Sequence, residues 1–181
     1  DGKLLRKTQQ QSQEAGAQLV SLPAGRSAIL FHRARRWMQE NFPSGYLMPN
    51  ALKLPETVEE TAAEVLNTTW PTQIHRVVVS ASSGTIAAGV LLGMQQRGLS
   101  RLSAIVHLGY SRSEEAVRRY ISSYGVTRQF QIVDEGYAYR DTARAGDTPP
   151  FPCNPYYDLK AWRWLKSAPT SDPTLFWNIG A

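Results

Sequence analysis

The stretch Val77-Val78-Val79-Ser80-Ala81-Ser82-Ser83-Gly84-Thr85-Ile86-Ala87-Ala88-Gly89 limits the possible folds of this chain more than any other. Three successive valines read as a buried strand. Small residues then allow a tight turn, and an apolar helix follows, carrying Ile86, Val90, Leu91 and Met94. Strand, small-residue loop and helix start make a βα unit. Its loop aims free backbone N–H groups and the positive end of a helix at one spot, which suits a phosphate. The loop has neither the lysine of a P-loop nor the spacing of G-x-G-x-x-G. The structural alternative is a plain βα turn capped by Ser or Thr.

The rest of the chain extends this unit into a regular α/β pattern. Leu102 to Val106 reads as a second buried strand and Gln129 to Val133 as a third. Between them Ser113 is placed to cap a helix ending at Tyr120 or Ser122. Upstream, Pro55 to Asn67 reads as a helix with an acidic face made by Glu56, Glu59, Glu60 and Glu64. Phe42 to Tyr46 reads as a turn and Met48 to Leu54 as a loop. A polar helix is expected from Thr8 to about Ala15 and a short strand from Gln18 to Leu22. A further helix opens at Ala24-Gly25-Arg26-Ser27-Ala28. The loop from Arg140 to Pro152, with Gly146 and three prolines, is long enough to be functional. Alternating strands and helices predict an α/β fold, a parallel sheet with helices on both faces.

Composition sets outer bounds. At 181 residues a single domain over 1–181 is expected, with enough chain for a real core. One cysteine, Cys153, excludes an internal disulfide framework and fits a reducing, cytoplasmic compartment. Every apolar run falls far short of the ~20 residues of a membrane span, so no membrane partner is expected. His32, His75 and His107 lack metal-ligand spacing, and there is no Cys pair to build a zinc site. Fifteen arginines against five lysines and a formal charge of +5 make nucleic acid a possible partner. Arg33, Arg36, Arg112, Arg118 and Arg119 are candidate phosphate contacts. Trp37, Trp70, Trp162 and Trp164 are candidate stacking residues. Solvated helix faces and core packing are the alternatives.

Three segments carry a resemblance in the same order along the chain. Ser82-Ser83-Gly84-Thr85 resembles the G-S-G-G-T phosphate cradle of the fold-type II, or tryptophan-synthase-β-like, family of pyridoxal-phosphate enzymes. Asn154-Pro155-Tyr156-Tyr157-Asp158-Leu159-Lys160 resembles that family's D-P-V-Y-x-G-K segment. Phe176-Trp177-Asn178-Ile179-Gly180-Ala181 resembles its terminal F-x-H-T-G-G. Within the family, 1-aminocyclopropane-1-carboxylate deaminase and D-cysteine desulfhydrase are the most similar branch. Gly2-Lys3-Leu4-Leu5-Arg6-Lys7 resembles the family's G-N-K-x-R-K, with the basic residues after Lys3 displaced by one position. Ala24 to Ala28 resembles its S-N-H turn, with Arg26 or Ala28 in the place of the asparagine that meets the cofactor's ring hydroxyl. Family members are usually longer and have two domains. The resemblance therefore implies either that an N-terminal part lies outside this sequence or that the small domain is reduced, with 42–70 as its remnant or replacement. A substrate pocket more open than usual, or one completed by a partner subunit in a homodimer, follows from that.

The resemblance implies a cofactor, pyridoxal 5'-phosphate, and a set of residues. Lys3 would be the Schiff-base lysine, forming the internal aldimine. Ser82, Ser83, Gly84 and Thr85 would hold the phosphate, with Arg26, Ser27 and Asn178 as further cofactor contacts. Asp158 takes the place of a glutamate near the pyridine nitrogen, and Tyr157 that of a tyrosine beside the substrate, able to act as acid, base or nucleophile. Ile179 stands where the family has a threonine and its side chain cannot hydrogen-bond the ring. Residues 156 and 157 also read as core aromatics, Asp158 as a helix cap, and Lys160 as a helix-surface or structural lysine. The implied activity is that of a pyridoxal-phosphate enzyme acting at the α-carbon of an amino-acid-like substrate, as deaminase, lyase or decarboxylase. One alternative is the same chemistry on an amino-acid-modified base in phage-type DNA. Another is a non-catalytic module that binds a phosphate ligand or nucleic acid.

Overall fold

A computed structural model describes residues 2–143, 146, 148–168 and 172–180, with side chains from residue 8 onward. The chain divides into two compact units, Asp1–Met48 and Pro49–Ala181. The larger unit is built on a four-stranded parallel sheet in the order β3-β2-β1-β4. Its strands are β1 (Arg76–Ala81), β2 (Ser103–Leu108), β3 (Gln131–Val133) and β4 (Thr174–Trp177). The helices of this unit are α3 (Pro55–Asn67), α4 (Thr85–Gln96), α5 (Glu114–Ser122) and α6 (Asp158–Ser167). The register sets Val79 beside Val106 on one side and Trp177 on the other.

Strand order explains the layers. From β1 through α4 to β2, and on through α5 to β3, the chain moves one way across the sheet. It then returns through α6 to place β4 on the far side of β1. Right-handed crossovers running in opposite directions put their helices on opposite faces. Val77, Val79, Val106 and Leu108 accordingly share a core with Val58 and Val65 of α3, Leu91 and Met94 of α4, and Val117 and Ile121 of α5. Val78 and Ile105, one residue out of phase, pack on Ala161, Trp164 and Leu165 of α6. The expected α/β sheet covered on both faces is therefore the fold observed. The α3–α4 contact is close because α4 presents glycines to it. A Cβ on Gly89 would stand 2.4 Å from Thr61 Cβ, and one on Gly93 would stand 2.6 Å from Val65 Cβ.

The smaller unit contains α1 (Gly2–Glu14) and α2 (Ser27–Asn41). Helix α2 opens after Arg26, as expected from the Ala24–Ala28 turn, but Arg26 makes no capping bond and no α2 residue is buried. Residues 18–22 form no strand: the segment carries Leu19, Val20 and Leu22 but is paired with no neighbouring strand. The polar helix expected at Thr8 starts six residues earlier, at Gly2. Of the loop expected over Met48 to Leu54, the part in the larger unit, 49–54, holds one short turn at Asn50–Leu52. Among the described residues, no helix is long and apolar enough to cross a membrane.

Candidate active site

The reversal of strand order falls between β1 and β4, and a cleft of about 530 Å³ opens there at the carboxyl ends of the strands. Open α/β sheets bind ligands at this kind of position, where diverging connections leave a crevice. Ser80 to Gly84, Ile86 and Ala87 form one wall, and Asn154, Tyr157 and Asp158 another. Ile179, Gly180, Tyr110, Tyr139 and the segment Asn50–Lys53 complete it.

The small-residue loop turns sharply into α4. Gly84 has φ +97, a backbone that L side chains rarely adopt, and a Cβ there would stand 3.2 Å from Tyr120 Cδ1. Ala88 N–H bonds to the Gly84 carbonyl. The N–H groups before it belong to the first turn, which lacks intrahelical partners, and Ile86 and Ala87 border the cleft. Arg112 braces the loop from behind, donating to the Ser82 carbonyl at 2.6 Å. This explains one of the arginines expected to meet a polyanion. Arg118 and Arg119 pair with Glu114 and Glu115 on their own helix. Ser83 lines the cleft, but Thr85 does not: it is 1% exposed, and its Oγ1 meets Ser83 Oγ and Tyr120 OH, each at 2.9 Å. Its hydroxyl therefore fixes the loop from inside.

Asp158 is the first residue of α6, and Tyr157 takes the N-cap position. Asp158 is 1% exposed and accepts a 2.5 Å hydrogen bond from Ser80 Oγ. The backbone N–H groups of Ile179 and Asn154 also donate to it. Burial pushes its carboxyl above the usual range, and these three donors pull the other way. Tyr157 packs on Gly109, where a Cβ would come within 2.4 Å of its ring. The Tyr157 hydroxyl also bonds Tyr139, whose own hydroxyl is raised in pKa mainly by Tyr157 and by burial. Tyr110 meets Tyr139 edge-on at 5.0 Å, so aromatic rings form the outer wall.

Two residues, the expected cofactor contact Asn178 and Lys160, fall away from their expected places. Asn178 donates from Nδ2 to the Pro152 carbonyl at 2.8 Å and lies outside the cleft; its neighbours Ile179 and Gly180 line it. Lys160 does not lie on the helix surface. It is fully buried, donates to the Gly109 carbonyl, and its Nζ stands 4.4 Å from the Tyr137 ring centroid. Burial pushes its ammonium down in pKa, against Asp141 and Glu135. Nearby, His107 Nε2 meets Glu135 at 2.9 Å, and burial lowers the imidazole pKa. Arg26 and Ser27 lie at the start of α2 in the smaller unit, and the Lys3 side chain lies outside the described residues. Ser80, Lys53, Tyr110 and Tyr139 were not singled out from the sequence. Ser80 sits in phase with Val78, facing α6, and that phase was its only signal.

No family model matches the chain. It is 51% identical over 183 residues to the glycyl-dTMP PLP-dependent decarboxylase of Pseudomonas phage M6. That alignment covers 95% of this chain and 65% of the phage protein, so the chain spans somewhat under two thirds of that relative. The crystal structure of an ACC deaminase homologue superposes with a TM-score of 0.67 at 17% identity, over 93% of this chain and 60% of that one. At that identity it speaks for the fold alone, and the fold is the one the three ordered motifs implied. Over 95% of its own length the chain is thus similar to a phage PLP-dependent decarboxylase, and it has the α/β fold of the ACC deaminase homologue, the fold that the resemblance to fold-type II pyridoxal-phosphate enzymes implied.

Proposed function

We propose that this chain carries the pyridoxal-phosphate site of an enzyme that decarboxylates an amino-acid group attached to a pyrimidine nucleotide. The observation that supports it most is the pairing, in one cleft, of the Ser82–Gly84 loop with the buried carboxylate of Asp158. Pyridoxal phosphate has an anionic end and a ring nitrogen that can carry a proton. The cleft offers a donor-rich loop at a helix start for the first and an acceptor for the second. The donor set therefore fits the group. When bound, the cofactor supplies the electron sink for chemistry at an amino-acid α-carbon.

The chain's own residues would divide the work. Backbone N–H groups of 82–87 and the Ser83 hydroxyl bind the phosphate. Asp158, held by Ser80, Asn154 and Ile179, accepts from the protonated ring nitrogen and keeps the proton there. Lys3 is the proposed Schiff-base lysine, and Arg26 and Ser27 are proposed cofactor contacts on the evidence of their motifs. Tyr157 places a hydroxyl on the cleft wall, where it can give or take a proton at the substrate. In the overall reaction the bond from α-carbon to carboxylate breaks, carbon dioxide leaves, and a proton takes its place on carbon. Tyr110 and Tyr139 offer aromatic faces to a pyrimidine. The phage relative, named for glycyl-dTMP, supports this substrate class. The basic charge balance supports a base carried in DNA as the larger form of the same substrate.

Two measurements test this. Purified protein incubated with pyridoxal phosphate should become yellow, and borohydride should fix the label to one lysine, expected to be Lys3. Labelling at Lys53 or Lys160 would overturn the assignment of the lysine. Folded protein that takes no label would favour a non-catalytic binding module. Release of labelled carbon dioxide from carboxyl-labelled glycyl-dTMP, and from an oligonucleotide bearing the same group, then reads the substrate. Release from neither would refute the decarboxylation.

A further inference from the structure

The turn at Asn50–Leu52 has costly backbone. Ala51 has φ 59 and Leu52 has φ 48, two successive non-glycine residues in the left-handed region. There Cβ crowds the following carbonyl. The turn lies on the cleft wall and delivers Lys53 into it. Lys53 Nζ stands 5.6 Å from the ring centroid of Tyr120. Tyr120 in turn is tied to the loop: its hydroxyl meets Thr85 Oγ1, and its ring backs Gly84. The ammonium therefore sits at the same end of the cleft as Ser82–Gly84 and the start of α4. Among the described residues Lys53 forms no ion pair. Among the described residues that line the cleft it is the only cation, and Asp158 is the only carboxylate.

We propose that Lys53 is the counter-ion for a phosphate monoester seated on the Ser82–Gly84 loop. This rests on the reading of the cleft as a pyridoxal-phosphate site. Backbone N–H groups and a helix end supply dipoles, not a full charge, so a dianion there gains from one flexible ammonium. Lys53 is exposed, so its head can stay hydrated until the ligand arrives. The phosphate can come from the cofactor or from a nucleotide substrate.

Equilibrium dialysis of the full chain separates these sources. Wild type, Lys53→Met and Lys53→Arg are each titrated with pyridoxal phosphate, pyridoxal and dTMP at low salt. Loss of one charge-assisted hydrogen bond corresponds to roughly tenfold or more in affinity. Lys53→Met should weaken pyridoxal phosphate by that factor, Lys53→Arg should restore most of it, and pyridoxal should bind all three equally. If dTMP weakens and pyridoxal phosphate does not, the phosphate held is the nucleotide's. Unchanged affinity for both phosphates overturns the proposal. Equal losses for pyridoxal and its phosphate overturn it too, because Lys53 would then act on the aldehyde. If wild type does not retain pyridoxal phosphate, the cofactor reading fails, and the dTMP titration alone decides whether Lys53 holds a phosphate. Melting curves of the three proteins, expected to coincide, show that a loss of affinity is not a loss of fold.

Discussion

A buried carboxylate is unfavourable unless donors fill its lone pairs. Asp158 has three such donors, yet burial still raises its pKa. The sign of the consequence follows from linkage. Between the ordinary carboxylate range and the raised value, the folded chain holds a proton that the unfolded chain has lost. Stability without cofactor therefore falls as pH rises through that window, and the loss is complete above it. Asp158→Asn removes this titration. The melting temperature of the variant should change less between acid and neutral pH than that of wild type, both measured without cofactor. A protonated ring nitrogen beside Asp158 would favour the charged carboxylate instead. Adding pyridoxal phosphate should therefore flatten the wild-type slope and leave the variant's slope as it was. Turnover per mole of bound cofactor should fall in the variant, since a neutral ring is the weaker electron sink. Unchanged slopes with a lowered melting point would leave Asp158 a helix-terminal structural residue.

At the scale of elements, the seat of the loop depends on how closely α4 lies against α3. Gly89 faces not only the Thr61 side chain but the Val58 carbonyl, 2.8 Å from a built Cβ. Backbone cannot move aside as a flexible side chain can. Gly89→Ala should therefore cost about 1–3 kcal/mol by overpacking, or about 2–12 °C in a chain of this size. Gln96→Ala, on the exposed end of α4, should stay within about 0.5 kcal/mol of wild type. Equal melting points for the two variants would show that the α3–α4 contact is looser than its geometry. Other element properties were legible in the sequence. The helix bounds of α3 match the expected Pro55 to Asn67, because proline suits a first turn and the apolar period is clear. Ser113 caps α5, accepting from Ala116 N–H at 3.2 Å. Residues 18–22 misled because a short apolar stretch such as Leu19-Val20 does not show whether a partner strand lies beside it. β4 was legible only as part of a terminal motif: its three apolar residues Leu175, Phe176 and Trp177 show no period of their own.

At the scale of the whole molecule, the site is a product of strand order, which no local pattern encodes. Ser80 and Asp158 are 78 residues apart and meet only because α6 returns over the face that Val78 and Ser80 share. Periodicity placed Ser80 in a buried strand, but its partner depended on which helix covers that face. Ser83, Gly84, Tyr157 and Asp158, which the motifs named, all line the cleft, since small residues at a βα turn and an acid at a helix start leave local traces. A ligand seated where these segments converge should stabilise the larger unit as a whole. At a free concentration one hundred times Kd, binding adds about 2.7 kcal/mol, or about 5–11 °C at 2–4 °C per kcal/mol. Pyridoxal phosphate should produce such a shift in the melting of wild type, and high salt should shrink it as the phosphate contacts are screened. Hydrogen exchange should slow at 82–88, 154–160 and 178–180, which converge on the cleft, and remain unchanged at 95–102, at the opposite ends of the strands. A thermal shift accompanied by slowed exchange at 95–102 instead would place the ligand away from the cleft, and the roles given to Ser83, Gly84 and Asp158 would fall together.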